Sequence, residues 1–301
     1  MNVVLGIDFG GTKVALATMG AEGGSPDGGV LHQTRVDTRG SATEVVRESM
    51  QAAHRLVSET TAQRGGQLTA VGVSTAGVVR DGQVRLAPNV PGWDGLELPR
   101  LLHEELGTAR IRIDNDVKAA TAAELRWGRL KGVDVGVYFN LGTGLAAGLV
   151  VDGRVVRGAH DGAGEIAYLL RRPGEPGYAD GRAPLEEHVS GGALAGRGSA
   201  LLGEPVTAAD VFARRDDPRL EAVLVEALDA LAMTVVNLCI ILDPQRVVLG
   251  GGMMAAANQI VPGIRRAVRR AVPFPPEITA ARFVDDAPLY GALALALAFD
   301  P

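Results

Sequence analysis

Two polar, glycine-rich interruptions of apolar strands constrain this chain more than any other feature. Residues 3–7 are apolar and rich in β-branched side chains; Asp8-Phe9-Gly10-Gly11-Thr12-Lys13 interrupts them, and an apolar stretch resumes at 14–19. The same order returns in the second half, with apolar residues 136–139, then Asn140-Leu141-Gly142-Thr143-Gly144, then apolar residues 145–151. Each reads as strand, turn, strand. That pattern excludes two common nucleotide-binding designs. Thr12 interrupts the Gly-Lys-Ser/Thr run that a P-loop needs, and neither turn is followed by the helix that a P-loop or a dinucleotide fingerprint requires. A lone turn of this kind reads as a tight hairpin in which glycine supplies positive φ. Two of them, one per half, point to a duplicated α/β design. Successive backbone N–H groups in such turns suit an anion, and two turns facing across a cleft suit the phosphates of one nucleotide.

The rest of the chain fits an α/β alternation. Helical spacing runs over 41–61, with Ser41 or Thr43 as cap, and again over 96–106, 117–128 and 220–242. Short strands are expected at 30–36, 70–73, 110–113 and 246–249, hairpins at Asp81-Gly82 and Asp152-Gly153, and a small apolar helix at 291–299. With 301 residues and 47% apolar content, the chain can bury a substantial core. Its 30 basic against 35 acidic residues and its 4% aromatic content argue against nucleic acid or an anionic membrane as the main partner. No uninterrupted apolar run approaches a membrane span, and no signal peptide is read, so a cytoplasmic location is expected. One cysteine, Cys239, allows neither a disulfide framework nor a cysteine-rich zinc site.

The motifs together carry a resemblance. Gly6 to Lys13 resembles the first phosphate motif of the ROK family of repressors and sugar kinases. Pro88-Asn89-Val90-Pro91-Gly92-Trp93 is similar to that family's sugar loop, and Asn115-Asp116 with Ala119, Ala120 and Glu124 to its catalytic helix. Leu141 to Gly144 resembles its second phosphate motif, Gly164-Glu165 and Leu185-Glu186 its two sugar-binding glutamates, and Val248 to Gly252 its adenosine region. The matches run in family order along nearly the whole chain. The resemblance implies an α/β, two-lobed, actin-like (ribonuclease H-like) ATPase fold. Residues 1–114 and a C-terminal helix at 287–301 would form the smaller lobe, and 115–286 the larger.

It also implies an ATP- and Mg²⁺-dependent kinase acting on the primary hydroxyl of a hexose, an amino sugar or a cyclitol. Asp116 would be the general base. Thr75, Gly77, Asn89, Asn115, Glu165, Tyr168 and Glu186 would bind the substrate. Asp8, Gly10, Gly11, Thr12, Lys13, Gly142, Thr143, Gly144, Gly251 and Gly252 would bind nucleotide and phosphate, with Asp8 holding Mg²⁺ through water. A homodimer is expected.

The chain departs from the family in one stretch. The histidine that normally follows the first glutamate, and the cysteine-rich zinc loop after it, are missing: Glu165 is followed by Ile166-Ala167-Tyr168, and residues 169–185 contain no Cys or His. No zinc is expected there. Pro173, Pro176 and Pro184 are candidates for stiffening the loop instead. The sugar's anomeric end should therefore be read differently from glucose in the family.

Bland readings compete with several of these assignments. Asp114, Asn115 or Asp116 is suited to capping the helix that follows, Glu186-Glu187 to an exposed helix start, and Cys239 to core packing. Trp93 is expected to pack beneath its loop, and Arg265, Arg266, Arg269 and Arg270 to form a solvated face. The alternative function, a non-catalytic sugar sensor, is disfavoured by the presence of Asp116. It is also disfavoured by the first motif opening at Gly6, ahead of which no DNA-binding domain is expected.

Overall fold

The computed structural model describes residues 2–38, 40–87, 90–107 and 110–299. By contacts these fall into two compact units. The first runs from the N-terminus to Lys131 and adds Arg157–Ala163 and the segment from Asp285 onward; the second comprises Gly132–Val156 and Gly164–Val284.

The first unit is built on a five-stranded sheet. Its strands are β1 (Val3–Phe9), β2 (Lys13–Gly20), β3 (Val30–Asp37), β4 (Leu68–Thr75) and, after the small hairpin of β5 (Val78–Arg80) and β6 (Gln83–Arg85), β7 (Ile111–Asn115). The spatial order is β3-β2-β1-β4-β7, antiparallel through the first three and parallel from β1 to β7. β1 is apolar on both faces because both are covered. Leu5, Ile7 and Phe9 pack against Val45, Val46, Met50 and Ala53 of the helix Ala42–Arg64. That helix starts as expected, with a capping box in which Ser41 Oγ accepts the Glu44 N–H and Glu44 Oε2 accepts the Ser41 N–H. On the opposite face Val4, Ala15, Ala17 and Met19 meet Leu289, Leu293 and Ala296 of the terminal helix Ala287–Ala296.

That contact is backbone on backbone. A Cβ at Gly72 would lie 1.8 Å from the Ala292 carbonyl oxygen, and one at Gly291 would lie 2.0 Å from that of Ala119. The helix Asp116–Trp127 packs with this same terminal helix and so groups with the first unit. The sequence reading had begun the second lobe at 115; a strand ending in Asn115 and a helix starting at once at Asp116 leave no linker at that point.

The second unit repeats the sheet. Its strands are β8 (Gly136–Leu141), β9 (Leu145–Val151), β10 (Arg154–Val155), β11 (Arg246–Gly250) and β12 (Glu277–Ala280), in the order β10-β9-β8-β11-β12. β10-β9-β8 are antiparallel and β8-β11-β12 parallel, the same sequence of directions as in the first unit.

Its core gathers Val137, Phe139, Val247 and Leu249 with Leu231, Val235 and Cys239 of the helix Pro218–Leu242. Cys239 is a core residue, its thiol pushed up to about 11 by burial. The helix Pro218–Leu242 is 25 residues long with a mean hydropathy of 2.0 over its most apolar window, long and apolar enough to cross a membrane. Charged residues interrupt its apolar stretches, so no uninterrupted apolar run of that length appears in the sequence. One side of this helix is in the core, while Val225, Met233, Ile240 and Ile241 are exposed. β12 and the helices Gly191–Leu202 and Ala208–Ala213 were not anticipated.

Candidate active site

In the first unit three parallel strands end in register, and their ends hold the first set of candidates. The ladder aligns Asp8, Ser74 and Asp114 in one row and Phe9, Thr75 and Asn115 in the next. Partners across a parallel ladder share a face, so Asp8, Ser74 and Asp114 stand side by side. This is the carboxyl end of the parallel strands, where open α/β sheets bind ligands.

The Asp8 carboxyl is raised from 3.8 to about 7, first by burial and then by the charges of Asp116 and Asp286; the nearby Ser74 hydroxyl and Lys13 pull it down in part. Ser74 Oγ is itself buried and closes no hydrogen bond of good geometry among the described residues. Asp286, unforeseen in the sequence, immediately precedes the terminal helix and pairs with Arg35 at 2.6 Å and Lys13 at 3.6 Å. The only local signal for it was an acidic residue at the start of an apolar helix.

Asn115 caps the helix of Asp116, its Oδ1 accepting the Lys118 N–H at 2.8 Å; Asp116 Oδ1 accepts the N–H of Val117 at 2.8 Å. Beside them Asp114 is gripped by both arms of Arg157, with Nε donating at 3.0 Å. Burial nevertheless raises the Asp114 carboxyl, against the pull of Arg157 and Lys118.

The first glycine turn is closed by the Gly10 N–H donating to the Lys13 carbonyl at 3.1 Å, and Thr38 Oγ1 donates to the Gly11 carbonyl at 3.0 Å. Positive φ is not the reason for glycine in either turn: Gly10, Gly11, Gly142 and Gly144 all lie outside that region. Space is the reason at Gly10, where the close atom is backbone. A Cβ on Gly10 would stand 2.9 Å from the Lys13 carbonyl oxygen and one on Gly144 2.8 Å from Glu186 Oε2, whereas around Gly11 the space is open. Thr75 is fully buried, and its Oγ1 accepts the Trp93 indole N–H at 2.7 Å. Trp93 packs on Phe9 with ring centroids 5.4 Å apart, as a support beneath its loop. Gly77, with φ at 75°, backs onto the Arg85 carbonyl. Asn89 lies outside the described residues.

In the second unit the equivalent strand ends are β8 and β11, which pair Asn140 with Gly250. The turn after β8 is closed by the Gly142 N–H donating to the Gly144 carbonyl at 3.1 Å. The first amides of the helix Gly191–Leu202 donate to it: the Gly191 N–H to the Gly142 carbonyl at 2.8 Å, and the Gly192 N–H to the Thr143 carbonyl at 3.1 Å. Glu186 joins the same structure, its Oε2 accepting the Leu145 N–H at 2.8 Å. Gly251 has φ at 88° and presses on the Leu141 carbonyl, and Gly252 opens the short 3₁₀ turn Gly252–Ala256 in open space.

Glu165 is launched by a glycine that no other residue can replace. Gly164 has φ at 85°, and a Cβ there would lie 1.8 Å from the Ala147 carbonyl oxygen. From Glu165 the chain makes the turn Ile166–Tyr168, in which the Tyr168 N–H donates to the Glu165 carbonyl at 3.3 Å. The Leu185 N–H donates to the Ala167 carbonyl at 3.1 Å, so Glu165, Tyr168 and Glu186 are brought together. Burial and then the charges of Glu165 and Glu186 push the Tyr168 phenol up.

The loop between these glutamates is fastened by ion pairs. Arg171 pairs with Glu175, whose Oε2 also accepts the Arg171 N–H at 2.8 Å. Arg182 Nε donates to both oxygens of Glu187 at 3.0 and 2.8 Å. Asp180 accepts the Gly177 N–H at 2.9 Å. These polar staples, added to the three prolines, were not anticipated from the sequence. Among the described residues no three His, Cys, Asp or Glu side chains are grouped to hold a metal ion.

The comparisons agree on one family. The ROK family model matches residues 4–298. A kanosamine kinase from Amycolatopsis mediterranei (strain S699) is 32% identical over 266 residues, covering 86% of this chain and 84% of that protein. The ROK hexokinase of Thermus thermophilus superposes with a TM-score of 0.82 at 28% identity, covering 98% of this chain and 97% of its own. A ROK family glucokinase from Streptomyces griseus, solved with glucose and AMPPNP, gives a TM-score of 0.75 at 26% identity over 98% and 99% of the two chains. The fold is the actin-like ATPase fold of these sugar kinases. With the family pattern spanning almost its full length, the chain belongs to the ROK family.

Proposed function

We propose that this chain is an ATP-dependent sugar kinase that transfers a phosphoryl group to the primary hydroxyl of a hexose-like substrate, with Asp116 as general base. The observation that carries the reading is the acidic end of the first sheet. A largely buried Asp8 raised to about 7, with the buried Ser74 hydroxyl beside it and Asp116 and Asp286 nearby, is an environment that calls for a cation. Its hard oxygen donors suit Mg²⁺. When bound, Mg·ATP supplies the phosphoryl group and the charge neutralisation that phosphoryl transfer needs.

The chain's own groups do the rest. Asp8 holds the hydrated ion, and Lys13 and the amides of the Gly10–Lys13 and Gly142–Gly144 turns receive phosphate oxygens. Asn115 and Asp116 are fixed by the start of their helix, so the Asp116 carboxylate meets a presented hydroxyl and takes its proton. Glu165 and Glu186 accept hydrogen bonds from the ring hydroxyls or from an amino group. Thr75 acts through Trp93 rather than by contact, since its hydroxyl is already committed.

The amino-sugar reading draws support from the similarity to a kanosamine kinase. It draws further support from Tyr168, which stands between two glutamates where the family pattern has a histidine. ADP release measured over a panel of hexoses, amino sugars and cyclitols tests the proposal. Some amino-, anomer- or ring-altered analogue should outperform glucose, and Tyr168→His should move preference back toward glucose. Polar recognition of this kind can discriminate by ~10⁴–10⁵, far beyond shape alone. Glucose as the best substrate, with a ranking unmoved by Tyr168→His, would refute the specificity assignment.

A further inference from the structure

The loop between the two glutamates carries more positive charge than its own carboxylates neutralise. Arg171, Arg172, Arg182 and His188 line a cavity of about 240 Å³ together with two acids, Glu175 and Glu187. The cavity lies wholly within the second unit, and none of these residues belongs to a glycine turn or to the proposed sugar-holding groups. Arg171 pairs with Glu175 and Arg182 with Glu187, which consumes both acids. Arg172 is left over, with no ion pair or hydrogen bond among the described residues.

Two further donors are unspent. Arg171 Nε is buried and has no acceptor among the described residues; a buried donor in that state favours an acceptor brought from outside. Arg197 contacts His188 Nδ1 at 3.3 Å and donates to the His188 carbonyl at 3.2 Å. A guanidinium only donates, so Nδ1 of the neutral ring accepts and the proton sits on Nε2. Burial, then the charges of Arg171 and Arg197, favour that neutral ring against the pull of Glu226. His188 thus adds an N–H to the cavity lining without adding a charge.

We infer that this cavity binds a phosphate dianion, at a site separate from the glycine turns. Three guanidiniums and an imidazole N–H suit a tetrahedral oxyanion, whose oxygens can take several forks at once, whereas one fork suffices for a carboxylate. A dianion seated there would tie Arg171 and Arg172, at the start of the loop, to Arg182 and His188, at its end. The inference does not depend on the sugar-kinase reading, because binding is read without turnover.

The test is isothermal titration at constant ionic strength with inorganic phosphate, glucose 6-phosphate and acetate. The proteins are the parent, Arg172→Ser, Arg172→Glu and Lys13→Ala. Arg172 is exposed and unpaired, so its variants keep the fold. The parent should bind phosphate and not acetate. Both Arg172 variants should weaken phosphate by roughly 10-fold or more, the worth of a hydrogen bond to a charged group. Lys13→Ala, altered in the first glycine turn, should keep this binding. Phosphate should also raise the melting temperature of the parent and of Lys13→Ala, and not that of Arg172→Glu. Tighter binding of glucose 6-phosphate than of phosphate assigns the dianion to an ester, and weaker or equal binding to the free ion. Phosphate binding that survives in the Arg172 variants and disappears in Lys13→Ala would overturn the site and leave the glycine turns as the place where phosphate binds. No binding to the parent, or acetate bound as well as phosphate, would overturn it too.

Discussion

Asp116→Asn will lose turnover by ~10²–10⁴-fold, the usual worth of a general base, while nucleotide affinity stays close to that of the parent. The substitution keeps size and shape and removes only basicity. It also leaves the helix start in place, because the cap is Asn115, whose Oδ1 accepts the Lys118 N–H; Asp116 Oδ1 accepts the adjacent Val117 N–H, a bond that an amide oxygen can also accept. Folding and activity can therefore be separated at this position. Melting temperature and nucleotide titration should be unchanged while ADP release collapses. A variant that retains most of its activity would reduce Asp116 to a structural residue.

Asp8→Asn should have the second largest effect, with opposite signs for stability and function. The folded-state carboxyl is raised from 3.8 to about 7, so folding disfavours its charged form. Without divalent ions the parent protein should lose stability as pH rises through that window, by up to about 4 kcal/mol once Asp8 is fully ionised. Asn carries no charge, so the variant should be the more stable protein at neutral pH and lack this decline. Its Mg²⁺-dependent turnover should fall to background. Melting scans across the window, with and without Mg²⁺, read both effects. Mg²⁺ should raise the melting temperature of the parent and not that of the variant. A parent protein with no decline over this range would show that Asp8 is solvated rather than buried among acids.

Local patterns in the sequence were enough for most of the elements. β-branched runs marked β1, β2 and β9, Ser41 marked the start of the long helix, and polar interruptions marked both glycine turns between strands. The reason for the glycines was misjudged, because a turn sequence does not reveal whether φ or space is limiting; Glu186 Oε2, which stands against Gly144, is far away in the chain.

The remaining gaps are of the same long-range kind. Asp286 reaches Lys13 and Arg35 from the opposite end of the chain, and Arg157 finds Asp114 through a segment that leaves the second unit and packs in the first. The Thr75 hydroxyl accepts the indole N–H of Trp93 from a separate loop. No periodicity or motif reports which distant partner a polar side chain will take; only the assembled sheet does.

The proposed reaction moves a phosphoryl group from ATP to the primary hydroxyl of a sugar-like acceptor. Phosphorus NMR of the reaction products, run over the acceptor panel with parent protein and Asp116→Asn, tests it most directly. The account predicts a primary-alcohol phosphate ester formed in step with ADP by the parent and nearly absent with the variant. ADP formed at the same rate with and without acceptor, or an ester on a secondary hydroxyl, would contradict it.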